Sequence, residues 1–148
     1  MRALRSAQPV TVRNPQAVRP WQHVLEPISG YLLLGAKLAA EPLRYGGSWN
    51  FGPYAEDNKV VEELVQTALQ VWGSGTYDKP VLINQPHEAG LLKLDISKAV
   101  SELEWKPQYM AEKAIAKTLE WYKVYDQQPT AIQQFTIQQI TAFASHEN

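Results

Sequence analysis

The sequence predicts a mixed α/β fold, and two patterns carry that prediction. Short runs in which β-branched or apolar residues alternate with polar ones, such as residues 9–13, are typical of strands. Longer stretches with apolar residues three and four positions apart indicate amphipathic helices. The chain has 148 residues, of which 45% are hydrophobic and 20% charged. These values are ordinary for a folded protein, so we expect about one domain with a real core.

The elements can be placed along the chain from their periodicity and from the residues that start and stop them. Strands are expected at 9–13, 48–52 and 79–84, the last with Pro80 near its start. Helices are expected at about 26–40, 58–72, 96–103, 110–125 and from 136 onwards. Asp57 or Asn58, Asp95 and Thr136 are the predicted helix caps, and Gly73 is the predicted stop of the second helix.

Charge and composition exclude several classes of function. Fourteen basic and 15 acidic residues give a formal charge of -1, so the chain lacks the positive field that non-specific nucleic-acid binding needs. Cysteine is absent, which excludes disulfides and zinc–thiolate sites. The three histidines are far apart, so no metal site is expected. The longest apolar-rich run, 27–36, is too short for a bilayer span. We therefore expect a soluble, cytoplasmic protein without a nucleic-acid or membrane partner.

The segment 11–24 contains the residues that point to a ligand. Arg13 and Arg19 are permanently charged and can each donate paired hydrogen bonds, which suits the oxygens of a diphosphate. Trp21 offers a flat face for a base or a sugar. An exposed loop with solvated arginines is the alternative, because surface arginines are common.

Four segments in fixed order connect the chain to a known family. They are Val12-Arg13-Asn14-Pro15 with Arg19-Pro20-Trp21-Gln22-His23-Val24-Leu25-Glu26-Pro27, then Trp49-Asn50-Phe51-Gly52-Pro53, then Pro86-His87-Glu88-Ala89 running into Leu92-Lys93-Leu94-Asp95, and finally Leu103-Glu104-Trp105-Lys106-Pro107 followed by Thr118-Leu119-Glu120-Trp121-Tyr122. Taken together, they resemble the C-terminal part of the CDP-glucose 4,6-dehydratases. These dehydratases are extended short-chain dehydrogenases/reductases. They are NAD-dependent lyases that act on nucleotide sugars in carbohydrate biosynthesis.

The resemblance implies a fragment of such an enzyme. Residues 1–148 would be the nucleotide-sugar-binding part, with the Rossmann cofactor half missing, and residues of about 24–52 would normally pack on that absent domain. The family's glycine-rich turn is not found, since Gly46-Gly47 and Gly73-Ser74-Gly75 do not stand between a strand and a helix. The family's catalytic Tyr-x-x-x-Lys would lie upstream. Tyr109 and Lys113 share its spacing, but they fall at the entry to a C-terminal helix. The chain alone is therefore expected to hold no cofactor and to be inactive.

The resemblance also implies roles for individual residues. Arg19 matches the arginine that meets the diphosphate, Trp21 flanks the same site, and Arg13 lies near the nucleotide. His87 and Glu88 match a loop over phosphate and ribose in which related enzymes place an arginine, although histidine is mostly neutral near pH 7.

Two other functions remain open at this point. The chain could be a free-standing module that binds a nucleotide sugar without chemistry, or a protein-interaction module. If the chain is the fragment that the resemblance implies, the apolar faces at 24–52 lack the cofactor domain, and the isolated chain is predicted to self-associate or partly melt there.

Overall fold

The computed structural model describes residues 1–80 and 90–145 and confirms the mixed α/β class. Its strands are short, each of two residues, and its helices supply most of the packing. The helices are α1 (Arg2–Arg5), α2 (Leu25–Ala40), α3 (Pro42–Tyr45), α4 (Val61–Trp72), α5 (Ser97–Glu102), α6 (Ala111–Gln127) and α7 (Ile132–Ala144). The strands are β1 (Val10–Thr11), β2 (Val18–Arg19), β3 (Lys59–Val60) and β4 (Tyr77–Asp78).

The strands form two small sheets that hold the segment between β1 and α2. β1 pairs in parallel with β4, placing Val10 opposite Tyr77. β2 pairs antiparallel with β3, placing Arg19 opposite Lys59. Val18 also bridges to Leu91. Because both sheets are anchored elsewhere in the chain, the arginine segment is fixed at its two ends.

The first core cluster lies between α2, α5 and the segment that follows α3. It is built around Phe51, whose ring packs edge-to-face on Trp105 with centroids 5.0 Å apart. Gly30 allows this close approach, because a Cβ there would lie 2.3 Å from the Phe51 ring. The buried members of the cluster are Tyr45, Phe51, Ile96, Ala99, Leu103 and Trp105.

The second core cluster joins α6 to α7. Tyr109 packs edge-to-face on Phe143 at a centroid distance of 5.2 Å, and Ala114 is buried beside them. Leu25, at the start of α2, packs against this cluster, so α2 contacts both cores.

Helix α2 is apolar on two faces, and only one of them is covered. Gly30, Leu33, Leu34 and Leu38 face the first core. A different face is predicted by the three- and four-residue spacing of Val24, Ile28, Tyr31, Leu32, Gly35, Leu38 and Ala39. That face is exposed, apart from Leu38. We call it the α2 stripe, and its members are Val24, Ile28, Tyr31, Leu32, Gly35, Ala36, Ala39 and Ala40.

Several sequence predictions of elements are confirmed. Helix α2 and helix α6 lie where expected, and α4 ends at Gly73, whose φ of 88° is the left-handed conformation of a helix C-cap. Asp95 lies one residue before the N-cap Ile96 and accepts a hydrogen bond from the first N–H of α5, that of Ser97, at 2.9 Å.

Three other predictions were wrong. Residues 48–52 form no strand, and Phe51 is buried in the chain's own core rather than left without a partner. Neither Asp57 nor Asn58 caps α4, for which the described residues provide no side-chain cap. The Asp57 carboxylate accepts the Ala111 N–H at the start of α6 instead, and the Asn58 amide donates to the Ala55 carbonyl. The last helix begins at Ile132, not at Thr136. Thr136 lies inside it, where its hydroxyl accepts a hydrogen bond from Trp121 and donates one to the Ile132 carbonyl.

The predicted strand at 79–84 falls partly outside the described residues. Lys79 and Pro80 are described and belong to no strand, whereas β4 lies just before them. Among the helices of the described ranges, none has both the length and the apolar character that a bilayer span requires.

Candidate functional site

The structure brings Arg13, Arg19 and Trp21 to one hollow. A cavity of about 240 Å³ is lined by all three, with Asn14 beside them. The floor is apolar and is formed by β1, by Ala17 and by Val61 and Val65 of α4. Arg13 is exposed, whereas Arg19 and Trp21 are half-buried. Two arginines in the lining of one cavity favour an anionic ligand.

The local sequence explains how Arg19 is held. It ends β2, and Pro20 follows, so the backbone stays extended between the strand and the turn that leads to α2. One guanidinium nitrogen of Arg19 donates to the Val18 carbonyl at 2.9 Å. The facing residue in the antiparallel pair is Lys59, and two cations directly opposite each other repel. Glu112 offsets that repulsion, because its carboxylate lies 2.9 Å from the Lys59 Nζ.

The size of the cavity limits what it can hold. Pockets for drug-sized ligands are about 300–1,000 Å³. At about 240 Å³ this cavity is smaller, which suits the anionic part of a ligand rather than a whole nucleotide sugar.

Two carboxylates that do not line the cavity, those of Glu26 and Asp57, are buried, and sequence patterns alone did not reveal their role. Glu26 is 0% exposed and accepts hydrogen bonds from the Gln108 and Tyr109 backbone N–H groups, the shortest at 2.7 Å. Burial raises the pKa of Glu26, while these two donors lower it in part. Asp57 is also buried, and burial likewise raises its pKa, opposed by the hydrogen bond from Ala111. The donors to Glu26 lie 82 and 83 residues away in the sequence, and the donor to Asp57 lies 54 residues away. Only the folded chain therefore shows these hydrogen bonds.

His23 is buried at the start of α2. Its Nδ1 accepts the Leu25 N–H at 3.3 Å, and its ring lies edge-on to Tyr109 with centroids 5.8 Å apart. Burial lowers the pKa of His23, and the positive charge of Lys117 lowers it further. Both effects favour the neutral imidazole, which fits a packing role.

Tyr109 and Lys113 have the wrong properties for a catalytic pair. The Lys113 ammonium lies 4.7 Å from the Tyr109 ring centroid, above the ring. The phenol is buried, and burial raises the pKa of Tyr109. A phenol that acts as a base needs its pKa lowered towards neutrality, so the direction is opposite.

The remaining candidates give no site in the described ranges. His87 and Glu88 lie outside the described residues, so their role stays a prediction. Within 1–80 and 90–145 no group of three potential metal ligands comes together. The described glycines also do not fit the pyrophosphate of NAD. Gly73 and Gly75 follow the C-terminal end of α4, whereas a pyrophosphate binds at a helix N-terminus.

Comparison with known proteins finds similarities to this chain in fold and in sequence. No family model matches the chain. The fold is similar to that of UDP-glucose 4-epimerase from Thermotoga maritima, solved with UDP-glucose, with a TM-score of 0.62 at 22% identity over 82% of this chain and 37% of that one. At 22% identity this likeness shows a shared fold. Together with the sequence match described next, it supports assigning the chain as part of an extended short-chain dehydrogenase/reductase.

A closer relationship appears in the sequence itself. The chain is 41% identical over 128 residues to CDP-glucose 4,6-dehydratase from Salmonella typhimurium, matching the C-terminal part of that enzyme. The match covers 84% of this chain but only 35% of the enzyme. The chain therefore spans about a third of the length of the curated relative it matches, and the predicted resemblance is confirmed.

Proposed function

We propose that this chain binds the diphosphate group of a nucleotide sugar through Arg13 and Arg19. It would do so as the C-terminal part of an NAD-dependent CDP-glucose 4,6-dehydratase. The observation that carries the proposal is the shared cavity, because two arginines six positions apart and Trp21 all line one hollow of about 240 Å³. Identity of 41% to an enzyme named for CDP-glucose supports the choice of ligand.

The proposed division of labour follows from what the described residues contain. The guanidinium groups hold the diphosphate, and Trp21 flanks the group attached to it. Such contacts fix the substrate by binding energy remote from the bonds that change. Hydride transfer by NAD would belong to the cofactor part of the intact enzyme. We therefore propose that the 148-residue chain is inactive on its own.

Calorimetric titration with CDP-glucose tests the proposal, with UDP-glucose and dTDP-glucose as controls for the base. Arg19→Ala should weaken binding by about tenfold or more, since a hydrogen bond to a charged group contributes about 1.5–3 kcal/mol. Arg19→Lys should recover only part of the loss, because an ammonium keeps the charge but not the paired donors. Arg44→Ala is the matched control, as Arg44 lies on α3 and pairs with Glu41 at 3.4 Å. Absence of any effect of cytidine nucleotides on melting at millimolar concentration would refute the proposal.

A second proposal concerns the α2 stripe. We propose that copies of this chain self-associate through it, because its large members are well exposed, Leu32 by 71% and Tyr31 by 62%. In an intact family enzyme, the same face would pack on the cofactor part. Burying one such side chain stabilises an interface by about 1.5–3 kcal/mol.

Sedimentation velocity over a range of concentrations tests this second proposal. Leu32→Glu should shift the chain towards monomer. Leu43→Glu is the matched control, because Leu43 is 101% exposed on α3 and does not belong to the stripe. A chain that stays monomeric at high concentration, or equal effects of the two variants, would contradict the proposal. Co-purification with a Rossmann-type partner would instead favour an interaction module.

A further inference from the structure

Two buried carboxylates accept hydrogen bonds from one short backbone segment, residues 108–111. Glu26 accepts the Gln108 N–H with both oxygens at 3.1 Å and the Tyr109 N–H at 2.7 Å. Asp57 accepts the Ala111 N–H at 2.7 Å. We call this arrangement the carboxylate clamp: Glu26 and Asp57 together with residues 108–111.

The carboxylate clamp connects two segments that contribute residues to the arginine cavity: the link from β2 to α2, and β3 with α4. Glu26 lies in the first turn of α2, five residues beyond Trp21 on the link from β2. Asp57 precedes β3, which continues directly into α4 with Val61 and Val65 at the cavity floor. Because β2 pairs with β3, holding both segments on residues 108–111 fixes the walls relative to each other.

Both oxygens of the Glu26 carboxylate act as acceptors in this geometry. Burying a carboxylate is costly unless hydrogen bonds compensate, and Glu26 receives its compensation from the two backbone donors. An amide in the same place has one acceptor oxygen, so its NH2 group would face a backbone N–H. The His23 ring also contacts this segment, because it packs edge-on to the Tyr109 ring with centroids 5.8 Å apart.

We propose that Glu26 is a positioning residue for diphosphate binding. It holds the link that carries Arg19 and Trp21 against the C-terminal helices. This inference rests on the proposed function, since it concerns the same cavity.

Affinity measured on the folded chain tests the inference. The 148-residue chain is titrated with CDP and with inorganic pyrophosphate, at a temperature at which circular dichroism shows every variant to be folded. Glu26→Gln should raise both dissociation constants about tenfold, because a small displacement of a binding group has an effect of at least that order. Asp57→Asn changes the other carboxylate of the clamp and should also raise both dissociation constants. It replaces Glu26→Gln as the test if that variant does not fold. Leu103→Ala is the matched control, because it weakens the first core without touching the clamp. It should leave both constants unchanged.

A double-mutant cycle separates positioning from a general loss of stability. If Glu26 acts through Arg19, Glu26→Gln should have little further effect in the Arg19→Ala background. Additive effects, or an equal loss of affinity in Leu103→Ala, would overturn the inference. Wild-type affinity in Glu26→Gln and Asp57→Asn, with a loss in Arg19→Ala, would overturn it while leaving the proposed function intact. Wild-type affinity in Arg19→Ala would overturn both.

Discussion

Replacing Gly30 by alanine is expected to destabilise the chain although alanine is the better helix former. A Cβ at position 30 would lie 2.3, 2.6 and 2.7 Å from three atoms of the Phe51 ring. Carbon atoms in contact are about 3.5–4.0 Å apart, so the ring would have to move by more than about 1 Å. It has little room, since its centroid is 5.0 Å from that of Trp105 and 5.5 Å from that of Tyr31.

The magnitude follows from two opposing effects. Alanine in place of glycine inside a helix gains about 1 kcal/mol. Overpacking a core costs about 1–3 kcal/mol, and three contacts this short favour the upper end of that range. The net loss in the free energy of unfolding is then about 2 kcal/mol, equivalent to about 4–8 °C in Tm for a chain of this size.

Gly35→Ala is the matched control on the same helix. No atom lies within 4 Å of a Cβ at position 35, so only the propensity gain applies. That variant should be stabilised by about 0.5–1 kcal/mol in urea unfolding followed by circular dichroism. In a Phe51→Ala background, Gly30→Ala should become stabilising as well. If Gly30→Ala and Gly35→Ala stabilise the otherwise unchanged chain equally, the steric argument fails.

Three further predictions concern stability. The pKa of His23 is lowered on folding, so its contribution is present above its ordinary value of 6.5 and is lost as pH falls below that value. His23→Asn keeps an acceptor near the Leu25 N–H and should therefore lose less stability than the wild type between pH 7 and pH 5. Urea midpoints that fall equally with pH in the two proteins would contradict this. Trp105→Phe removes the 2.9 Å hydrogen bond to the Ser29 hydroxyl and should lower the free energy of unfolding by about 1 kcal/mol in the same assay. An unchanged free energy of unfolding would refute this prediction. Leu119→Ala should cost about 2–5 kcal/mol, because Leu119 is buried on α6, and a loss below 1 kcal/mol would show that the site collapses without a cavity.

Local signals account for the elements that the sequence predicted well. The stop of α4 at Gly73 and the hydrogen bond that Asp95 accepts from the first N–H of α5 depend on residues within one turn, so they can be inferred from spacing. The arginine segment was singled out for a similar reason, since its chemistry is visible in a few neighbouring residues, and its role as a ligand site stays a prediction. That Arg13 and Arg19 line one cavity depends on the pairing of β2 with β3, which sequence alone does not specify.

The errors arose where a distant partner decides the local structure. Asp57 has the right position for a cap of α4, but the Ala111 N–H, 54 residues away, is its partner. Thr136 begins a capping-box pattern, yet the Trp121 indole binds its hydroxyl inside a longer helix. Periodicity on α2 identified one apolar face, whereas in the structure Leu33, Leu34 and Leu38 pack against the first core.

The bonds from Glu26 to Gln108 and Tyr109 also have a consequence for how the polypeptide is made. They close a loop of more than eighty residues, and the entropy of closure rises with loop length. Glu26, in the first turn of α2, therefore gains its backbone donors only after Gln108 and Tyr109 have been synthesised, so the burial of this carboxylate depends on a segment made much later than the helix that carries it.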